Sequence, residues 1–488
     1  MREELVHKKE TQKSRLHNLL ILGIAAGVAA GALLHEAREQ HALYESVLFW
    51  LDLAGSTFFM GALKMLVPPL IMASIISGVV SVERVRDLGR IGWRILFYYV
   101  GTTCVAVAIG LVLVSLAAPG RSQASLAIRK KRAERIELEA VRYEKETGKP
   151  ARAGERYTVE FRSWLYERGS ALQTSEEERA RWKALLQRGS AGVGAILRDQ
   201  LLKPMLENPI AALAGGNALG IIFFSLLLGI ALVVAGDPAK PAAAFFEGLN
   251  AAILTLTRWL MATAPVCVFA IVASLVARHG LSVFASLGGY CATVIGGIAC
   301  HTAFLLAVGA FIAGRGPAVL WRGIREAYLI AFTTRSSAAT LPVTIRCVVE
   351  RLGVRPQVAN FTLPVGATMN MDGTALYEGV SVLFLLQIYG GLADVPVTLG
   401  GAATLVVFLT AVAASVGAAA VPNAGLVTMV LVANAVGLPV YYIPLIFAVD
   451  TFLDMFRTST NVLGDVVGCC VIEALEKRSE GPKAVNET

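Results

Sequence analysis

Residues 450–465 read DTFLDMFRTSTNVLGD, inside an apolar segment that runs from about 441 to 475. Counted from Asp450, the residues Asp454, Arg457, Thr458, Asn461 and Asp465 lie 4, 7, 8, 11 and 15 positions on, which puts all six on one face of a helix. An ionised group at the centre of a membrane helix costs about 2.5–3.5 kcal/mol on insertion scales. Four such groups on one stripe cannot face lipid, so they face a polar cavity or one another. The competing reading is a ladder of internal ion pairs that holds helices together. Asn461, Thr458 and the broken segments nearby supply more polar groups than such pairing needs.

The residue types point to a ligand. Arg457 offers a planar fork that grips a carboxylate through two parallel hydrogen bonds. Asp454, one turn earlier, suits an ammonium group. Asn461 and backbone donors at broken helix ends can receive a second carboxylate. One ammonium and two carboxylates describe aspartate or glutamate. Asp372, Asp465, Asn370 and Asn461 add hard oxygen donors, and carbonyls freed where helices unwind suit sodium ions.

The rest of the chain supplies a membrane setting. Of 488 residues, 55% are hydrophobic and 16% charged, against about a quarter charged in soluble domains. The mean hydropathy is +0.62. Spans of about 20 apolar residues fall at roughly 17–36, 45–81, 92–118, 210–235, 242–278 and 283–314, the second and fifth long enough to tilt or kink. The net charge of +8 does not imply nucleic acid, because the basic residues lie mostly between apolar segments or at the ends. Residues 1–16 are polar and basic and precede the first apolar run, so they read as a cytoplasmic amino terminus with a retained helix; a cleaved signal stays open. Arg84, Arg86, Arg90 and Arg94 place the loop 82–94 in the cytoplasm. A polar stretch, 119–205, carries charges of both signs at helical spacing and reads as solvated helices. The seven cysteines and six histidines show no ligand spacing and read as structural.

After residue 315 the apolar stretches are broken in corresponding places, at 333–342 (TTRSSAATLP) and at 415–425 (SVGAAAVPNAG). Arms of about 15 residues flank each break, too short to span, as in a re-entrant hairpin with a buried tip. Each is followed by a helix carrying Asn-x-x-Gly, at 370–373 and 461–464, which reads as an interrupted helix occurring twice. Paired interruptions are a pointer to a transporter's binding site. No Gly-rich phosphate loop with its Lys is present, so ATP is not the expected energy source, although a separate subunit could hydrolyse it.

At these residues the chain resembles the dicarboxylate/amino acid:cation symporter family, which includes animal excitatory amino acid transporters and archaeal aspartate transporters. The matching strings are RSSAATLPVT (335–344), NMDGTALYEG (370–379), VPNAGLVTMVLVANAVGLP (421–439) and DTFLDMFRTSTNVLGD (450–465), and the likeness covers most of the chain outside 119–205. The resemblance implies an all-α membrane protein of eight transmembrane helices and two re-entrant helical hairpins with inverted repeats. It also implies a homotrimer in the plasma (inner) membrane, in which a transport domain slides as an elevator against a scaffold. The scaffold would comprise 17–91 (helices 1–2) and 206–278 (helices 4–5); the transport domain would comprise 92–118 (helix 3) and 279–475 (helix 6, hairpin 1, helix 7, hairpin 2, helix 8). The stretch 119–205 would be an extracellular insertion and 476–488 a cytoplasmic tail.

Carried over by position, Asp454 would bind the substrate ammonium and Arg457 its side-chain carboxylate. Asn461, Thr374 and Ser337 would complete the pocket beside Thr458. One sodium site would use the Gly366, Asn370 and Asn461 carbonyls with the Asp465 carboxylate. A second would use the backbone of Thr368, Ser415, Val416 and Ala418 near Met371. A third would use Tyr99, Thr102 and Thr103 with Asn370 and Asp372. Arg335 in the first hairpin, with Met455 in the last helix, resembles the prokaryotic arrangement. Glu378 matches a glutamate tied to proton and potassium coupling in animal members; it is a proton carrier or a pocket-rim group paired with an Arg or hydroxyl, and both readings stay open. Two departures stand out: Ala420 replaces the usual glycine at the second hairpin tip, and 119–205 has no equivalent in short archaeal members.

Within the family, symporters for dicarboxylates without an amino group lack the aspartate matching Asp454, and neutral amino acid symporters lack the arginine matching Arg457. Having both favours a sodium-coupled acidic amino acid symporter, with proton coupling as an addition. An ion channel with anion conductance is the alternative from another class. No nucleophile–base or metal constellation of an enzyme is found, and neither is a nucleic-acid partner.

Overall fold

A computed structural model describes residues 19, 22–37, 41–80, 85–154, 156–169, 202–215, 217–281, 283–395, 397–416 and 424–480. Its helices are α1 (Leu22–Glu36), α2 (His41–Asp52), α3 (Met60–Val80), α4 (Val85–Ala117), α5 (Gln123–Thr147), α6 (Val159–Gly169), α7 (Pro209–Gly215), α8 (Ala218–Ala235), α9 (Lys240–His279), α10 (Val283–Phe311), α11 (Pro317–Thr334), α12 (Ser337–Arg346), α13 (Pro356–Met369), α14 (Asp372–Tyr389), α15 (Gly401–Val416), α16 (Ala424–Ala435) and α17 (Pro444–Glu480). The described residues are helical throughout apart from turns and one short ribbon, in keeping with the expected all-α class. Two-residue strands, β1 (Arg152–Ala153) and β2 (Arg156–Tyr157), pair antiparallel around the turn between α5 and α6.

Among the described residues, three helical stretches are long and apolar enough to cross a membrane by length and composition: Trp93–Arg121, Leu287–Phe311 and Pro444–Ser479. Their most apolar windows differ in setting, being 39%, 33% and 89% buried within the chain, respectively. The first two therefore turn much of their surface outward, as Phe97, Leu116 and Phe311 do, whereas the third runs through the centre. That central position is what lets α17 carry a polar stripe away from lipid.

Around it, α17 packs on α10, α11, α13 and α14, and α14 packs on α4, α15 and α16. Every residue of α14 is buried. A second group gathers α1, α3, α8 and α9. Gly23, Gly27 and Gly31 recur every fourth residue of α1, and a Cβ at each would lie 2.6, 2.8 and 2.6 Å from carbonyl oxygens of α9. Only glycine lets two backbones approach this closely, the packing that substitutes for hydrophobic drive inside a bilayer. The 45–81 span, read as long enough to tilt or kink, contains a π-helical stretch, Leu53–Phe59, and has Pro68 and Pro69 further along α3. The predicted 242–278 span is one unbroken helix with Pro265 inside. Asp52 on α2 pairs with Arg278 on α9 and accepts a 2.7 Å hydrogen bond from Ser274.

The predicted breaks are real but unequal. Between α11 and α12 the break is two residues, Arg335 and Ser336, narrower than 333–342, and Pro342 lies inside α12. Arg335 takes up a left-handed conformation (φ 53°, ψ 36°), a cost of about 1–2 kcal/mol for a residue with a Cβ. Ser336 then caps α12 by accepting from the Ala339 amide at 3.2 Å. Between α15 and α16 the residues 417–423, including Ala418 and Ala420, lie outside the described residues. The two Asn-x-x-Gly motifs also part company. At Asn370–Met371 the chain leaves the helix between α13 and α14, whereas Asn461–Gly464 sits within unbroken α17. The predicted second interruption is thus corrected. Asn461 uses its side chain to tie α14 and leaves the helical ladder intact.

Candidate functional site

The stripe on α17 meets the break between α13 and α14. Arg457 is the largest fully buried side chain among the described residues, 1% exposed. Its Nη2 donates to Asp454 Oδ1 at 2.7 Å and lies 3.4 Å from Asp450 Oδ1. Its guanidinium carbon stands 4.0 Å from the centre of the Tyr377 ring, and the Tyr377 hydroxyl donates to Asp450 Oδ1 at 2.7 Å. A ring face and two carboxylates thus set the plane of the fork. Among the described residues Arg457 Nε and Nη1 meet no hydrogen-bond partner. Gly425 at the start of α16 borders the same guanidinium, and any side chain there would fall on Nη1.

Beside the fork, Thr458 Oγ1 donates to Asp454 Oδ1 at 3.4 Å. Arg335 Nη1 approaches Asp454 Oδ2 at 3.9 Å, which brings the α11–α12 break to the stripe. Ser337, buried in the first turn of α12, follows in the chain. On the other side Asn461 Oδ1 accepts from the Gly373 amide at 2.8 Å and its Nδ2 donates to Thr374 Oγ1 at 3.2 Å. Glu378, one turn beyond Thr374 and fully buried, accepts through Oε1 from Thr428 on α16. Its Oε2 has no partner among the described residues. A hydroxyl partner agrees with the pocket-rim reading; the second oxygen leaves a place for a proton.

The oxygen donors form two neighbouring groups. In one, Asn370 Nδ2 donates to Asp465 Oδ1 at 2.9 Å, and Asn370 Oδ1 is buried without a partner among the described residues. A Cβ at Gly366 would lie 2.6 Å from Asp465 Oδ1 and 2.5 Å from the Tyr99 hydroxyl, so glycine keeps that backbone open to the carboxylate. In the other, Asp372 Oδ1 accepts from Thr103 at 2.7 Å and Thr102 at 3.3 Å. Tyr99 donates instead to the Thr362 carbonyl at 3.1 Å. Met371 lies at the break, its sulfur 3.9 Å from Thr374 Oγ1. Thr368 lies in the last turn of α13 and Val416 ends α15, while Ser415 Oγ donates back to the Val412 carbonyl at 2.8 Å. Each group offers a single carboxylate with neutral oxygens around it, and among the described residues no three His, Cys, Asp or Glu side chains converge. That donor set fits a small monovalent cation rather than a transition metal.

Two partnerships escaped the sequence reading. His301 on α10, read as structural, is fully buried with Nε2 2.9 Å from Asp372 Oδ2. The partners are far apart in sequence, so no local spacing marks them. Tyr377 sat in a quoted motif without a role, and its place under Arg457 follows only from α14 crossing α17.

A sequence profile of the sodium:dicarboxylate symporter family matches residues 16–144 and 171–475. The chain is 36% identical over 476 residues to excitatory amino acid transporter 2 of Homo sapiens, covering 95% of this chain and 79% of that one. It is 34% identical over 469 residues to excitatory amino acid transporter 1 of Ambystoma tigrinum, covering 94% and 83%. To an excitatory amino acid transporter of Caenorhabditis elegans it is 35% identical over 469 residues, covering 93% and 87%.

Proposed function

The chain belongs to the sodium:dicarboxylate symporter family, and we propose that it carries aspartate or glutamate across a membrane together with sodium ions. The observation that carries this reading is Arg457, a buried guanidinium aligned by Asp450, Asp454 and Tyr377, with Nε and Nη1 meeting no partner among the described residues. A buried donor without a partner costs about 1–3 kcal/mol, and a substrate side-chain carboxylate relieves that cost. Asp454 takes the ammonium. The second carboxylate goes to Asn461, Thr374 and the amino-terminal end of α12 at Ser337, where the helix dipole favours negative charge. Thr458 supports Asp454 from the next turn.

Coupling follows from shared residues. Sodium is held as co-transported cargo by the Gly366, Asn370 and Asn461 carbonyls and the Asp465 carboxylate; by the backbone of Thr368, Ser415, Val416 and Ala418 near Met371; and by Tyr99, Thr102, Thr103, Asn370 and Asp372. Asn461 serves both sides in this reading: its side chain ties Gly373 and Thr374, and its carbonyl is one of the proposed sodium ligands. An ion that fixes α17 against the Asn370–Met371 break therefore also orders the substrate pocket, a reciprocal coupling. The architecture proposed with this reading is eight membrane helices and two re-entrant hairpins. A transport domain (92–118 and 279–475) moves against a scaffold (17–91 and 206–278) within a plasma-membrane homotrimer, with Arg335 at the tip of the first hairpin.

Vesicles containing the purified full chain and given radiolabelled aspartate test the reading. Uptake is expected with an inward sodium gradient and not without one. Conductance without sodium-driven accumulation would replace the symporter with a channel. A second reading, proton coupling through Glu378, is favoured by its Oε2, which has no partner among the described residues, while Oε1 accepts from Thr428.

A further inference from the structure

The polar segment after α4 is not a free-standing insertion, because three of its arginines grip the far ends of the helices that line the site. Arg129 Nη1 donates to the carbonyls of Ile388 and Gly390, at 2.7 and 2.9 Å, where α14 ends. Arg162 on α6 donates to the Ala393 carbonyl at 2.7 Å. Arg132 is the centre: Nε donates to the Tyr442 hydroxyl at 2.9 Å while Nη2 pairs with Asp394. Asp394 is fully buried, and its Oδ2 also accepts from Tyr441 at 2.7 Å and Tyr442 at 2.5 Å. The Tyr442 ring stacks on Tyr389, the last residue of α14, at 3.8 Å. Burial and the Asp394 charge push the Tyr441 and Tyr442 hydroxyls well above their ordinary pKa, so both stay proton donors. Burial opposes the charge on Arg132, but Tyr442, Asp394 and Tyr441 raise its pKa overall.

Tyr441 and Tyr442 lie in the turn between α16 and α17, which is the common root of two walls of the site. One wall, α16, brings Gly425 and Thr428 to Arg457 and Glu378. The other, α17, starts two residues after Tyr442, and Asp450 follows about 9 Å along it at 1.5 Å per residue. We propose that Arg132 is a positioning residue for substrate binding: acting through Asp394, Tyr441 and Tyr442, it fixes the α16–α17 turn, so that the α5–α6 appendage sets how the two walls meet. Arg129 and Arg132 on α5 fall within the part of the chain that the family profile matches, whereas the ribbon, α6 and its Arg162 fall in 145–170, outside it.

This inference rests on the proposed symport, and the experiment separates the two. In vesicles with the full chain, R132A is expected to raise the KM for aspartate about fivefold with kcat within about twofold, because the pocket is displaced and not emptied. R132K should recover part of the loss, since an ammonium still meets Asp394 but cannot reach Tyr442 as well. Y442F keeps the ring and removes one donor, and should raise KM about twofold. Adding D394N to R132A should raise KM no further, because both break one link. Hydrogen exchange of backbone amides over 436–446 should quicken about tenfold in R132A. The proposal is overturned if R132A and Y442F both keep the wild-type KM, or if exchange over 436–446 is unchanged in R132A. The exchange readout needs no substrate, so it decides the inference even if wild-type protein shows no sodium-driven uptake, a result that removes the symporter reading instead.

Discussion

Arg457 and Arg132 are built from the same parts and end in opposite states. Each is an arginine set against aspartate and tyrosine. Around Arg132, Nε and Nη2 are both engaged, and one oxygen of Asp394 collects the arginine and two tyrosine hydroxyls. Around Arg457 only Nη2 is engaged, while Nε and Nη1 meet nothing among the described residues. The side chain of Arg132 is 18% exposed and that of Arg457 is 1% exposed, so the fork with spare donors is also the more deeply buried. A fork whose donors meet acceptors holds elements together, even with Asp394 Oδ1 left without a partner among the described residues; a fork with spare donors, kept rigid by Tyr377 and Asp450, is prepared for a ligand.

Substitutions can break or sharpen that contrast. R457A should have the largest effect, a loss of about 100-fold or more in kcat/KM for aspartate, with the pocket becoming permissive for a neutral amino acid. Unaltered aspartate uptake in that variant would sink the pocket assignment. R132A should lower stability by about 2 kcal/mol, less than the 3–5 typical of a broken buried pair because Asp394 keeps its tyrosine donors. Thermal unfolding of the detergent-purified chain measures this, and a wild-type melting temperature would count against Arg132 as a tie between these elements. Y377F keeps the ring under Arg457 and removes the hydroxyl to Asp450, so it should weaken aspartate binding by about 1 kcal/mol, roughly fivefold. Equilibrium binding in sodium reads it. E378Q should change uptake least at neutral pH, within about threefold, while flattening its dependence on pH and potassium gradients. If E378Q and wild type respond identically to both gradients, Glu378 carries no proton and only ties α14 to Thr428.

Much of this was legible in the chain. The stripe from Asp450 to Asp465 follows from helical spacing, and Arg457, Asp454, Thr458 and Asn461 do share one region. The break at Arg335–Ser336 was announced by polar and small residues, though the helix resumes earlier than Thr340 and Pro342 imply, because a Ser cap needs only one residue to restart it. The repeated Asn-x-x-Gly misled. The same four-residue pattern unwinds the chain at Asn370 and leaves it helical at Asn461, although each side chain ties to the other segment, Asn370 to Asp465 and Asn461 to Gly373 and Thr374. His301 carried no signal because its partner Asp372 comes from another helix.

Length, hydropathy and the period of the apolar and polar residues determined by themselves that this chain is a helical membrane protein with a charged face that lipid cannot accept. These are local properties, written in the order of neighbouring residues. Only the tertiary structure decided which donors on that face stay open, which glycine backs onto Arg457, and that a basic helix far upstream holds the root of α16 and α17. Those outcomes depend on contacts between segments hundreds of residues apart, such as Arg132 with Asp394 and Tyr442, whose partners no spacing in the sequence brings together.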